Sequence, residues 1–92
     1  MGGSLVGGFG DAQMFSFHAT KVFTTMEGGC LRTHDPEIFA RAKAIRNFGQ
    51  LADGDCEEAG INAKLTEVCA LIGIEQLKSF EQAALTRLRD PR

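Results

Sequence analysis

The chain has 92 residues, of which 43% are hydrophobic and 24% charged, and a formal net charge of −2. That is ordinary composition for one small soluble domain, and the charge argues against a nucleic-acid footprint or an anionic membrane surface as partner. No apolar run approaches the roughly 20 residues of a membrane span, and the N-terminus lacks the basic start and apolar core of a secretory signal. The three cysteines, Cys30, Cys56 and Cys69, are widely spaced and read as reduced thiols of a cytoplasmic protein. His18 and His34 are too scattered to complete a zinc site with them, so no metal is expected. A chain this short buries little more than ~60% of its unfolded surface, which leaves a small margin of stability.

In chain order, the first segment is rich in glycine: Gly2, Gly3, Gly7, Gly8 and Gly10. It reads either as a flexible leader or as a loop whose backbone comes close to a ligand or a neighbouring strand. Gln13 to Phe17 is short, apolar and aromatic and predicts a strand. Val22 to Thr25 is β-branched and extends it briefly. Gly28-Gly29 breaks the chain, and Cys30 to Thr33 predicts a second strand. Asp35 is a good N-cap and Pro36 suits the first helical position. Ile38, Ala42 and Ile45 recur at i, i+4 and i+7, one face of a helix, with Arg41, Lys43 and Arg46 off that face and Gly49 as its stop.

Gln50 to Glu58 is polar and acidic and reads as a loop. A second helix is expected from about Ala63 to Lys78. Leu65, Val68, Cys69 and Ile72 form its stripe, while Leu71, Ile74 and Leu77 are apolar on other faces. Such a helix expects neighbours on several sides. Ser79 caps a third helix, with Gln82 in the capping-box position; it runs through Arg87 and stops at Pro91-Arg92. The fold class is therefore α/β, two short strands followed by two to three helices. A whole α/β domain needs more strands, and the order reads as the middle of a larger protein.

Chemistry concentrates at Lys21, which ends the apolar segment Met14-Phe15-Ser16-Phe17-His18-Ala19-Thr20-Lys21. A lysine at the point where a buried strand gives way to a turn is partly desolvated, which favours the neutral amine. A neutral amine attacks an aldehyde to form a Schiff base, and pyridoxal phosphate is the cofactor that uses such a lysine. His18 reads as a packed, hydrogen-bonded histidine rather than a catalytic one. Glu27-Gly28-Gly29 shapes a turn, with Glu27 pairing with a nearby cation. Arg46 lies on a solvated helix face, although a guanidinium there can also grip an anion.

Four blocks occur together: Phe15-Ser16-Phe17-His18-Ala19-Thr20-Lys21; Glu27-Gly28-Gly29; Arg46-Asn47-Phe48-Gly49; and Gly60-Ile61-Asn62-Ala63-Lys64-Leu65-Thr66-Glu67. In content, order and spacing they resemble the PLP-dependent sugar aminotransferases of the DegT/StrS group, from about Gly7 to Arg87. Gly8-Phe9-Gly10-Asp11 fits the turn that precedes the family's lysine strand. The resemblance implies a fragment of the large PLP-binding domain of a fold-type-I aminotransferase, spanning residues 1–92, without the family's upstream part and small C-terminal domain.

It further implies that Lys21 forms the Schiff base with pyridoxal 5'-phosphate and then serves as general acid and base. Ser16, five residues earlier, donates a hydrogen bond to the cofactor phosphate. Asn62 reaches the phosphate in the partner subunit's site of an obligatory homodimer, although an N-cap for the second helix explains Asn62 equally well. The implied reaction moves an amino group from a donor such as glutamate to a keto sugar nucleotide. A related dehydratase carries histidine in place of the lysine, and Lys21 argues against it. Lys64 stands where relatives commonly carry arginine and is assigned no role.

The family's upstream aspartate for the pyridine nitrogen, its stacking aromatic and its phosphate-binding helix N-terminus have no counterpart among the twenty residues before Lys21. The isolated chain is therefore expected to lack transaminase turnover. A second reading is a truncated, non-catalytic remnant or interaction module that self-associates through exposed apolar helix surface.

Overall fold

The computed structural model describes residues 6–50, 53–56 and 58–90. Residues 1–5 of the glycine-rich segment and the stop at Pro91-Arg92 lie outside the described residues. The elements are β1 (Ala12–Ser16), β2 (Gly29–Thr33), α1 (Pro36–Arg46), α2 (Glu67–Leu77) and α3 (Phe80–Arg89). β1 and β2 pair antiparallel. At one end Phe17 N donates to Gly28 O at 2.9 Å, and at the other Thr33 Oγ1 donates to Asp11 O at 2.6 Å.

Along β1 the alternation is that of a half-buried strand: Gln13 and Phe15 are half-buried, while Ala12, Met14 and Ser16 are exposed. Gly29 lets β2 approach closely, because a Cβ there would lie 2.7 Å from Phe15 O. The expected extension of the strand through Val22 to Thr25 does not form. Thr25 N and Thr24 Oγ1 both donate to Phe17 O, at 3.0 Å each, and curl this segment back on itself. Threonine hydroxyls offer the backbone such local partners in competition with a ladder.

The chain divides into two compact units, each assembled from two stretches: Met1–Met14 with Leu31–Lys64, and Phe15–Cys30 with Leu65–Arg92. In the first, α1 begins as the sequence predicts. Asp35 Oδ1 accepts from Glu37 N at 2.8 Å and Ile38 N at 3.3 Å, and Pro36 opens the helix. Ile38, Ala42 and Ile45 are half-buried as a stripe, and Ala44 beside them is the buried apolar side chain among the described residues.

The helix ends at Arg46, and Gly49 N closes it by donating to Ala44 O at 2.9 Å, the wide bond of a Schellman turn. Phe48, not a glycine, takes the left-handed position that this turn requires, at φ 61°. It is held there by its N–H on Ile61 O at 3.0 Å. Gly49 and Gly60 then cross: a Cβ on Gly49 would stand 1.8 Å from Glu58 O, and one on Gly60 2.0 Å from Gly49 N. Arg41 grips Glu58 with Nε on both carboxylate oxygens at 3.2 Å and a terminal nitrogen on Oε2 at 3.1 Å. That hydrogen bonding, then the carboxylate charge, raises the Arg41 pKa further above its already high range.

In the second unit α2 starts at Glu67, four residues later than expected, and its cap is Thr66, whose hydroxyl accepts from Cys69 N at 3.3 Å. Asn62 is therefore not the cap of this helix. The expected neighbours of α2 are only partly present, and Val68, Leu71, Ile74 and Leu77 are all exposed. Ser79 precedes α3, but its side chain makes no capping bond, because its backbone (φ −117°, ψ 3°) lacks the extended conformation that aims a cap oxygen at the first turn. α3 continues to Arg89.

Phe23 joins the ends of this unit: its ring meets Phe17 edge-to-face at 4.9 Å and Phe80 at 5.7 Å, the preferred geometry for aromatic pairs. Among the described residues no helix is long and apolar enough to cross a membrane.

Candidate active site

Residues 17–28 link β1 to β2 and carry Lys21, and the side chains of His18, Thr20, Thr24, Thr25 and Glu27 make contacts within the loop. Phe17 is its anchor, with its N–H on Gly28 O and its carbonyl accepting from Thr24 Oγ1 and Thr25 N. Thr25 is the buried polar residue among those described; its hydroxyl donates to Glu27 O at 2.9 Å. Met26 adopts a left-handed φ of 70°, which a non-glycine residue takes at a cost. Its N–H is satisfied by Thr24 Oγ1 at 2.9 Å. Gly28, at φ 151°, has no room for a Cβ, which would meet Thr25 Oγ1 at 2.6 Å and Leu65 Cδ1 at 2.8 Å.

Lys21 lies on the outside of this loop. Its N–H donates to His18 O at 2.9 Å, closing a four-residue turn. The side chain is exposed and has no ion pair among the described residues. The expectation of partial desolvation is corrected here: β1 is only half-buried, and the turn that follows it places the lysine outside the packed side of the loop.

Ser16 is the last residue of β1, and its Oγ accepts from His18 N at 3.3 Å. Because that bond uses a lone pair, the serine proton remains free to donate. His18 has left the strand. Its Nδ1 is 3.3 Å from Thr20 Oγ1, and its Nε2 is 3.5 Å from Glu27 Oε1. It is hydrogen-bonded, as the sequence suggests, but half-exposed rather than packed, and it is the side chain that stands beside Glu27. Ser16, His18 and Lys21 thus form one continuous hydrogen-bonded run.

Asn62 belongs to the other unit. It forms an antiparallel bridge with Asn47, flanked by bonds from Ile61 N to Ile45 O at 2.8 Å and from Ala63 N to Arg46 O at 3.0 Å. Lys64 has a structural partner: Nζ donates to Asn47 Oδ1 at 3.2 Å and stands 4.5 Å above the Phe48 ring, a cation–π contact. Arg46 is exposed in the last turn of α1.

Sequence reasoning missed Thr24, Thr25 and Gly73 as shapers of the lysine loop. Gly73, buried in α2, accepts the Thr25 methyl where a Cβ would lie 2.8 Å from it. A glycine inside a helical pattern was the available signal, since it costs about 1 kcal/mol relative to alanine and calls for a packing reason.

The Ser16–Lys21 segment thus offers one hydroxyl at the end of β1 and one exposed amine five residues further on. Several known proteins similar to this chain are described as aminotransferases. Residues 1–90 match the DegT/DnrJ/EryC1/StrS aminotransferase family. A UDP-4-amino-4,6-dideoxy-N-acetyl-beta-L-altrosamine transaminase of Helicobacter pylori is 40% identical over 92 residues, covering 88% of this chain and 24% of the relative. The crystal structure of Helicobacter pylori PseC, an aminotransferase involved in the biosynthesis of pseudoaminic acid, aligns with a TM-score of 0.78 and 38% identity over 97% of this chain and 27% of that one. A Bacillus cereus protein described provisionally as a PLP-dependent aminotransferase aligns with a TM-score of 0.78 and 36% identity, over 85% of this chain and 21% of its own. The chain thus spans about a fifth to a quarter of the length of these relatives.

Proposed function

The chain belongs to the DegT/DnrJ/EryC1/StrS aminotransferase family, and we propose that it carries the lysine segment of a PLP-dependent sugar aminotransferase. Its fold is that of a fragment of the large PLP-binding domain. The observation that supports the reading is the hydrogen-bonded backbone run Ser16–His18–Lys21, which follows the end of β1 and carries one hydroxyl and one exposed amine.

When bound, pyridoxal phosphate supplies the aldehyde and the electron sink. Lys21 Nζ would hold the cofactor at its aldehyde carbon and, when free, would move a proton at the substrate α-carbon. Ser16 Oγ would donate a hydrogen bond to a phosphate oxygen, a charge-assisted bond. The Asn62 side-chain amide donates to a phosphate oxygen in the partner subunit's site of a homodimer. Glutamate is the proposed amino donor, a keto sugar nucleotide the acceptor, and the cytoplasm the place of reaction.

A second reading rests on α2, whose exposed Val68, Leu71, Ile74 and Leu77 suit an interaction module without activity of its own. Titration of the purified chain with pyridoxal phosphate, followed by borohydride reduction and mass mapping of the adduct, decides between the two. Lys43, Lys64 and Lys78 serve as internal controls. A saturable adduct on Lys21 alone supports the aminotransferase reading; labelling spread over the lysines, or none, overturns it for this chain.

A further inference from the structure

We infer that His18 and Glu27 form a clamp across the Lys21 loop, and that His18 is the positioning residue for both Ser16 and Lys21. The inference rests on the aminotransferase reading for what the loop positions, but the clamp itself is a feature of this chain's own residues. His18 spends each of its polar groups within the loop. Its N–H fixes Ser16 Oγ at 3.3 Å, and its carbonyl takes the Lys21 N–H at 2.9 Å. Nδ1 reaches Thr20 Oγ1 at 3.3 Å, and Nε2 faces Glu27 Oε1 at 3.5 Å.

The first two bonds tie the serine to the lysine. The other two fix the imidazole from opposite sides of the loop, because Thr20 precedes Lys21 and Glu27 follows it. Glu27 is itself placed by its carbonyl, which accepts from buried Thr25. The clamp thus runs from a buried anchor, through the Glu27 carboxylate and the imidazole, to the backbone that carries Lys21. Both partners are exposed, so the clamp is a modest, salt-sensitive contact rather than a source of fold stability.

The test compares the full chain with His18→Gln, Glu27→Gln and the double variant. Amide hydrogen exchange is followed at Lys21, with Phe17 N–H as the reference for an intact strand end. In parallel, the absorbance of the covalent adduct with pyridoxal phosphate gives the concentration for half-saturation. Each single variant should lower Lys21 protection about two- to fivefold, the range for an exposed ion pair, with Phe17 unchanged. Each should raise the half-saturating concentration by a similar factor. The double variant should be no worse than either single, and high salt should bring the parent chain to the Glu27→Gln value.

Unchanged Lys21 protection in both single variants, or fully additive losses in the double variant, would overturn the clamp. Loss of protection in a chain whose parent forms no Lys21 adduct would leave the clamp standing and remove the aminotransferase reading instead.

Discussion

Gly73 of α2 and Thr25 of the Lys21 loop are in direct apposition: a Cβ on the glycine would lie 2.8 Å from Thr25 Cγ2 and 3.8 Å from Phe23 Cζ. Thr25 also donates its amide to Phe17 O and its hydroxyl to Glu27 O, so displacing it disturbs both ends of the loop. Gly73→Ala should gain about 1 kcal/mol of helix propensity and lose about 1–3 kcal/mol to overpacking. A net loss of roughly 1 kcal/mol in urea unfolding is expected, with a weaker pyridoxal phosphate adduct on Lys21. Thr25→Ser removes the methyl and keeps the hydroxyl, so it should restore adduct formation in the Gly73→Ala background. A Gly73→Ala chain that labels at Lys21 as readily as the parent would show that the loop is not held from α2.

Two glycines with left-handed backbones should respond very differently to the same substitution. Gly54, at φ 91°, has nothing within 4 Å of an added Cβ, whereas Gly49, at φ 77°, would bring one to 1.8 Å from Glu58 O. Gly54→Ala should cost only the conformational penalty of about 1–2 kcal/mol. Gly49→Ala carries that penalty plus a backbone collision with no flexible side chain to yield, and should cost at least ~3 kcal/mol or abolish folding. Comparable urea midpoints for the two variants would contradict the Gly49–Gly60 crossing.

The helix caps offer a second contrast. Asp35 Oδ1 accepts from two backbone amides, so Asp35→Ala should destabilise by about 1 kcal/mol. Ser79 makes no side-chain cap bond, and Ser79→Ala should fall within about ±0.5 kcal/mol of the parent. Thermal unfolding followed by circular dichroism measures both, and a large Ser79 effect would mean that α3 is capped in solution.

These contrasts also mark what was legible in the sequence. Asp35-Pro36 announced α1 because a cap and a proline at the first position act locally, without help from the rest of the fold. The blocks around Ser16 and Lys21 identified the family because a run of residue types carries more information than any one of them. Val22 to Thr25 misled because β-branched residues favour strands only where a neighbouring strand completes the ladder; here the threonine hydroxyls supplied local bonds instead. Asn62 misled because asparagine suits a cap and a bridge equally well, and Thr66, four residues later, competed for the same helix. The exposure of Lys21 depends on which side of a half-buried ribbon the loop leaves, which no local pattern records.

The position of Ser16 leads to the sharpest chemical test. Its oxygen accepts from His18 N, so Ser16→Ala leaves His18 N–H at an exposed site where water replaces the lost partner, and little stability should be lost. What disappears is a donor to a dianionic phosphate. A hydrogen bond to a charged group is worth about 1.5–3 kcal/mol, so the half-saturating concentration of pyridoxal phosphate for Lys21 should rise roughly 10-fold or more. Pyridoxal, which has the aldehyde but no phosphate, should bind the parent and the variant alike. Equal weakening toward both compounds would place Ser16 in the scaffold of the lysine loop rather than at the phosphate. A loss confined to the phosphorylated compound would assign the serine to the phosphate group.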